Sequence, residues 1–154
     1  MQRLSKDEYG CLMALSASTR SEGRTTHVGC IIADNDGRII ATGFNGYAPG
    51  SNLDIAEPDN KKSRPYYIHA ETNALALIEK GRGHTLYCTH SPCASCAQNI
   101  AAHKIKQVIY IDLHESSRDE VSFKQIFKAY NIKYRQINTL EKTNIRRCIT
   151  QKIT

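Results

Sequence analysis

Hydrophobic and polar positions follow two alternating periods along the chain, one near 3.6 residues and one of 2, and each change of period marks an element. Ser5-Lys6-Asp7-Glu8 is a capping-box pattern that opens a first helix, with Leu12, Met13 and Leu15 inside and Gly23 near its end. Residues 27–33 read as a buried strand, Asp34-Asn35-Asp36-Gly37 as a hairpin turn, and residues 38–44 as the returning partner. Residues 45–67 carry Pro49, Pro58 and Pro65 with few apolar side chains, which predicts a long irregular excursion of the functional kind.

From His69 the apolar and good-propensity residues Ala70, Ala74, Leu75, Ala76, Leu77 and Ile78 predict a helix closing at Gly81. A short strand over 85–89 follows, then a helix from Cys93 to about His103, then the β-branched strand 108–111. Ser117-Arg118-Asp119-Glu120 is a second capping-box pattern, predicting a helix that holds Val121, Phe123, Ile126, Phe127 and Tyr130. Residues 132–137 form the last strand, and 140–154 are expected to be helical in part and frayed at the end. A helix between the last two strands requires them to be parallel with a right-handed crossover. The expected architecture is α/β: three α-β-α layers, a mixed five-stranded sheet with helices on both faces. One domain spans 1–154, with a core of about 5–137 and a tail of 138–154.

Composition narrows the class. A chain of 154 residues that is 40% hydrophobic and 23% charged is an ordinary globule able to bury one core. The N-terminus leads into an amphipathic stretch, with no signal-type apolar region and no run of membrane length, so the expected compartment is cytoplasmic, without a membrane partner. With Cys93 and Cys96 assigned to a metal, Cys11, Cys30, Cys88 and Cys148 read as reduced small hydrophobes. The formal charge of +6 suits an anionic partner, either a nucleotide or a nucleic-acid backbone, and charge alone does not separate them. Arg20 and Arg24, then Lys61, Lys62 and Arg64, then Arg146, Arg147 and Lys152 form the basic clusters, for each of which solvated surface is the plainer reading and phosphate or partner contact the alternative. Tryptophan is absent and no basic-aromatic stripe offers a stacking platform for single strands, which disfavours nucleic acid.

The chemistry lies in His69-Ala70-Glu71 and Pro92-Cys93-Ala94-Ser95-Cys96. Alone, a C-x-x-C is more often half of a structural zinc site or a redox pair, and a lone H-x-E is usually coincidence. Jointly, with proline before the first cysteine, they match the H-x-E…P-C-x-x-C signature of zinc deaminases. His69, Cys93 and Cys96 supply three zinc ligands, whereas a closed structural site needs four, and a catalytic one keeps its fourth position for water. Cysteines three apart place both sulfurs beside the first turn of one helix, and Pro92 suits that first turn because its missing N–H would have no partner there. Two helix N-termini then converge on one ion and favour thiolates. Glu71, two residues past a ligand, is the expected catalytic proton shuttle, since zinc makes a hydroxide equivalent available near neutral pH for attack on an aromatic amidine-type carbon.

With these motifs, the chain resembles the cytidine and deoxycytidylate deaminase superfamily, and within it the deoxycytidylate deaminase branch, from about residue 12 to 137. Val28-Gly29-Cys30-Ile31-Ile32 through Gly43-Phe44-Asn45-Gly46-Tyr47-Ala48-Pro49-Gly50 is similar to the V-G-A-x-I…G-Y-N-G-x-P-x-G pattern of that branch, and His69-Ala70-Glu71-Thr72-Asn73-Ala74 to its H-A-E-x-N-A motif. The resemblance implies a cytidine-deaminase-like fold, one Zn2+ per subunit, and hydrolysis of dCMP to dUMP and ammonia in a homohexamer activated by dCTP and inhibited by dTTP, with Mg2+ accompanying a triphosphate effector. It implies that Asn45 lies near the nucleotide sugar, that the Ala70 N–H meets the base carbonyl, and that the Ser91 carbonyl accepts from the leaving amino group. Arg24, His27, Gly43, Gly46 and Tyr47 are the effector or phosphate candidates. Gly43 and Gly46 would let backbone N–H groups approach an anion closely, against the plainer reading of an Asn-Gly turn. Asn73 reads either as a support for the site or as a cap. The chain departs from the branch at Cys30, which replaces the alanine, at His27, where a basic residue is common, and in Asp112-Leu113-His114-Glu115, which lacks a frequent tyrosine. His114 therefore joins the phosphate candidates. The competing readings are a dCTP-accepting enzyme, a deaminase of tRNA adenosine or single-stranded DNA cytosine with the same zinc chemistry, and a structural zinc protein that binds nucleic acid.

Overall fold

The structure, a computed structural model, describes residues 3–23, 25–52, 66–114 and 119–153. Helix α1 (Lys6–Ser18) is closed at its start by the expected capping box: Ser5 accepts from the Glu8 N–H, and the Glu8 carboxylate accepts from the Ser5 N–H. β1 (Gly29–Ala33) and β2 (Ile39–Phe44) follow as an antiparallel pair. The turn between them has Gly37 at φ +83°, and Asp34 Oδ1 accepts from the Asp36 and Arg38 N–H groups. α2 (Ala70–Leu75), β3 (Thr85–His90), α3 (Ala94–Ala102), β4 (Gln107–Asp112), α4 (Phe123–Ala129), β5 (Lys133–Gln136) and α5 (Thr139–Ile153) complete the order.

The sheet runs β2-β1-β3-β4-β5, with β1 antiparallel to both neighbours and β3, β4 and β5 parallel. This is the mixed five-stranded, three-layer arrangement that the pattern predicts. Every residue of β1 is buried because both faces are covered. On one face Ile31, Tyr87, Ile109 and Ile111 pack against Cys11 and Ala14 of α1 and Ile145 of α5. On the other, Cys30, Ile32, Leu86, Cys88, Val108 and Tyr110 pack against Ala70 and Ala74 of α2, Ala97 and Ile100 of α3, and Phe123 and Phe127 of α4. α1 lies close on the sheet because a Cβ at Gly29 would collide with Ala14 O and Ser18 N.

Two expected elements differ. α2 ends at Leu75, well before Gly81. Gly81 has φ +86° and donates to His103 O at 3.0 Å, because the chain must already be turning back toward β3. The helix expected to open at Ser117-Arg118-Asp119-Glu120 opens instead at Ser122, in a capping box with Gln125, and leaves Val121 outside; Ser117 and Arg118 lie outside the described residues. The last segment, expected to be helical in part, is a helix from Thr139 to Ile153, anchored on α1 by Asn144, whose amide donates to Glu8 at 2.7 Å. Among the described residues, no helix is long and apolar enough to cross a membrane.

Candidate active site

The C-terminal end of β3 and the N-termini of α2 and α3 meet at one point. His69 is the N-cap of α2 and Cys93 the N-cap of α3, both extended, and neither makes a side-chain capping bond. Their side chains are thereby free to face each other while the first N–H groups of both helices remain without intrahelical partners. Pro92 is not in the first turn of α3, as its sequence position suggests, but precedes the cap, where it ends the chain's exit from β3.

His69 Nδ1 lies 3.5 Å from Cys93 Sγ and 3.3 Å from Cys96 Sγ. All three donor atoms fall within 4.8 Å of one another. Donors bound to zinc at 2.0–2.3 Å in a tetrahedron lie about 3.5 Å apart, so one nitrogen and two sulfurs at these separations fit that ion without rearrangement. Among the described residues the cluster comprises these three, and Glu71 stands outside it. Cys96 is buried, Cys93 half-buried and His69 exposed, so the cluster opens to one side. The Cys93 thiol is pushed down to about 4 by its hydrogen bond to Cys96 and by His69, while Cys96 is raised as the partner holding the proton. Such a pair surrenders its first proton easily, which metal binding through thiolates requires.

Glu71, in the first turn of α2, is 4% exposed, and its Oε2 accepts from Cys96 Sγ at 3.6 Å. Burial, the largest cause, raises its pKa above the ordinary carboxylate value. A carboxylate placed beside the donor cluster but apart from it, and moved toward neutrality, suits proton transfer.

Of the other expected residues, Ala70 is fully buried at the first position of α2, where its N–H has no intrahelical acceptor. Ser91 is buried at the end of β3, and its hydroxyl donates to His114 O at 2.9 Å and accepts from the His114 N–H at 2.7 Å. Asn45 spends its amide on the chain, accepting from Ser21 Oγ at 2.6 Å and the Val28 N–H at 2.8 Å and donating to Thr26 O at 2.9 Å. Gly43 sits directly beneath α2, where a Cβ would run into Ala70 O and lie 2.6 Å from Ala74 N. Gly46 bridges to Ile68 and faces the Glu22 carboxylate, which also accepts from the Tyr47 N–H at 2.8 Å. The Tyr47 ring stacks on Tyr67 at 4.6 Å. His27 is exposed just before β1, and Arg24, Lys61, Lys62 and Arg64 lie outside the described residues. Asn73 donates to Phe44 O at 2.7 Å, tying α2 to the end of β2.

Sequence reasoning passes over two contributors. Asp119 Oδ2 accepts from the Ala94 N–H at 2.9 Å and so caps the helix that carries both cysteines; its place in an apparent capping box for the next helix hides this. Glu22 organises the 45–47 segment from 25 residues away and leaves no local pattern.

Fold and donor set together define the class: a zinc-dependent hydrolytic enzyme with one carboxylate held apart from the ligands. The model of the cytidine and deoxycytidylate deaminase zinc-binding region matches residues 4–112, and the chain belongs to that family of deaminases. It is 32% identical over 144 residues to a probable deoxycytidylate deaminase of Caenorhabditis elegans, covering 87% of this chain and 71% of the relative. A deoxycytidylate deaminase of Mycobacterium phage D29 is 34% identical over 125 residues, covering 71% of this chain and 97% of the phage protein. Among solved structures, the dCMP deaminase of cyanophage S-TIM5 in complex with dCMP and dUMP superposes with a TM-score of 0.74 at 26% identity, over 89% of this chain and all of that one. A diaminohydroxyphosphoribosylaminopyrimidine deaminase/5-amino-6-(5-phosphoribosylamino)uracil reductase of Thermotoga maritima, at 22% identity and a TM-score of 0.62, shares the fold over 38% of its own length.

Proposed function

We propose that this chain hydrolyses dCMP to dUMP and ammonia. The observation that carries the reading is the buried Glu71, its pKa raised by that burial, beside a His69-Cys93-Cys96 cluster that it does not join. The relatives named above as acting on deoxycytidylate support the choice of base and of phosphorylated nucleoside.

His69, Cys93 and Cys96 hold the zinc, which when bound polarises water and lowers its pKa toward neutrality. Glu71 takes one proton from the attacking water and passes it to the ring nitrogen of cytosine, then takes the second from the hydroxyl so added to the ring carbon and delivers it to the amino group, which leaves as ammonia as the carbonyl forms. Overall, dCMP and water give dUMP and ammonia. The Ala70 N–H, left open at the first position of α2, orients the base carbonyl, and the Ser91 carbonyl, fixed as β3 enters the Pro92-Cys93 loop, accepts from the amino group. Asn45, which ties Ser21, Thr26 and Val28 together, would lie near the sugar. The likeness of residues 43–50 to the deoxycytidylate branch supports extending the reading to a homohexamer regulated oppositely by dCTP and dTTP, in the cytoplasm.

Ammonia release measured in parallel on dCMP, dCTP, deoxycytidine and a cytosine-containing oligonucleotide, with and without dCTP as effector, tests this. Turnover is expected on dCMP above the other three. Turnover of the oligonucleotide without turnover of dCMP would reject the reading in favour of a polynucleotide deaminase.

A further inference from the structure

The metal cluster lies at the C-terminal end of β3, and the N-terminal ends of β3, β4 and β5 form the opposite edge of the sheet. Thr85, Gln107 and Lys133 stand there in one register row. The six residues of β3 separate that row from the Pro92-Cys93 loop by roughly 20 Å. α2, α3 and α4 each run back to this edge, so the segments that follow them meet on it. Backbone bonds tie these segments together: the Gly81 N–H donates to His103 O at 3.0 Å, the Lys106 N–H to His84 O at 2.9 Å, and the Lys133 N–H to Lys106 O at 3.1 Å.

The same segments carry Lys80, Arg82, Lys104, Lys106, Lys128 and Lys133, all exposed. Across residues 76–84, 103–107 and 128–133 the one carboxylate is Glu79, so six cations face one acid, a surplus of five beside a formal +6 for the whole chain. Elsewhere Arg135 is paired with Asp7 and Glu141, and Lys142 with Asp112, whereas among the described residues no carboxylate pairs with any of these six. Helix macrodipoles favour cations at helix C-termini, which accounts for Lys104 and Lys128. That account does not reach Lys106 and Lys133 at the starts of strands, nor Lys80 and Arg82 beyond the end of α2. Lys104 also has φ +62°, a left-handed conformation that glycine adopts at less cost after a helix. A charged side chain is thus kept where the backbone alone favours none.

The chemistry of the row selects its partner. Five of the six cations are lysines, which protein interfaces deplete in favour of an apolar core. A phosphate backbone needs no such core and is held by point charges on flexible stems. Single strands are held in addition by a track of stacked rings, and these segments carry one exposed aromatic, Tyr130. We propose that this edge binds the sugar-phosphate backbone of a nucleic-acid duplex without reading its sequence. The metal site, at the far ends of the strands, stays open to its own substrate meanwhile.

The test is fluorescence anisotropy of a labelled, mixed-sequence DNA duplex of about 20 base pairs with the zinc-loaded full chain over a salt series, beside the single strand and polyglutamate. Contact with about four phosphates predicts that log K falls against log salt with a slope of about −3.6. The double variant Lys106→Ala with Lys133→Ala should bind the duplex about tenfold more weakly and lower the steepness of that slope by about two. Lys104→Gly removes a charge and relieves the left-handed backbone, so its melting temperature should hold or rise while the slope still falls by about one. A lysine with a merely structural role would not give that combination. Turnover at the metal site should be unchanged in all these variants. No duplex binding at low salt, or binding that the variants leave unaltered, overturns the inference. Tighter binding of polyglutamate than of the duplex overturns it in favour of an acidic protein partner, and tighter binding of the single strand overturns the choice of a duplex.

Discussion

At the scale of single residues, Glu71 is distinguished from its neighbours by geometry more than by type. His69 and the two cysteines converge on a shared centre, whereas Glu71 stands outside it, accepts from Cys96 and lies buried where its charge is costly. Glu71→Ala is therefore expected to keep stoichiometric zinc and to lose turnover by about 10²–10⁴-fold, the usual worth of a positioned general acid-base. Elemental analysis beside steady-state rates checks it: a zinc-free variant would make the carboxylate a ligand. These four residues were legible in the sequence because metal chemistry fixes both residue type and local spacing. Gly43 was legible as a required glycine but for a different reason, since its missing Cβ seats α2 against β2. The sequence pattern announces that a side chain is excluded and does not say whether a ligand or a helix takes the space.

Among elements, the central strands fall on the continuous apolar runs of a sheet covered on both faces, and the differences gather at helix ends, where several polar residues compete for the same N–H groups. Ser117-Arg118-Asp119-Glu120 and Ser122-Phe123-Lys124-Gln125 both satisfy the capping-box spacing. The second caps α4, while Asp119 of the first accepts from the Ala94 N–H of α3, a tertiary partner that the local pattern does not reveal. Asp119→Ala should lower stability by about 1 kcal/mol, as for loss of a helix N-cap, and Asp119→Asn by less, since an acceptor remains. Because α3 carries Cys93 at its cap, zinc should also be released more readily to a competing chelator. Thermal melts of the apoprotein separate the two effects, and an unchanged melt in Asp119→Ala would show that the cap contributes nothing to folding.

For the whole molecule, the ends of the chain are joined by a polar network that no local pattern could reveal. Arg135 of β5 donates to Asp7 of α1 across 128 residues and to both Glu141 oxygens at 2.8 and 3.0 Å, while Asn144 of α5 donates to Glu8 of α1 at 2.7 Å. This network, with Ile145 on the core, docks the C-terminal helix onto the domain. It also predicts acid sensitivity. The Asn144 hydrogen bond, with the Ser5 N–H, holds Glu8 below the ordinary carboxylate pKa, and the Arg135 hydrogen bonds do the same for Glu141. A carboxylate whose folded pKa lies below its unfolded value of about 4.3 binds protons more readily when unfolded, so lowering the pH favours the unfolded chain. The stabilisation is fully present above that unfolded value and is lost as pH falls through the lower folded values. The Glu141 side chain is 16% exposed but Arg135 is 39% exposed, so salt should weaken the Glu141 contribution. Urea midpoints of the apoprotein at pH 6, 4 and 3 should decline less steeply in Glu141→Gln than in wild type, the gap narrowing at high salt. Parallel declines in the two proteins would mean that the α1-β5-α5 network does not couple folding to protonation.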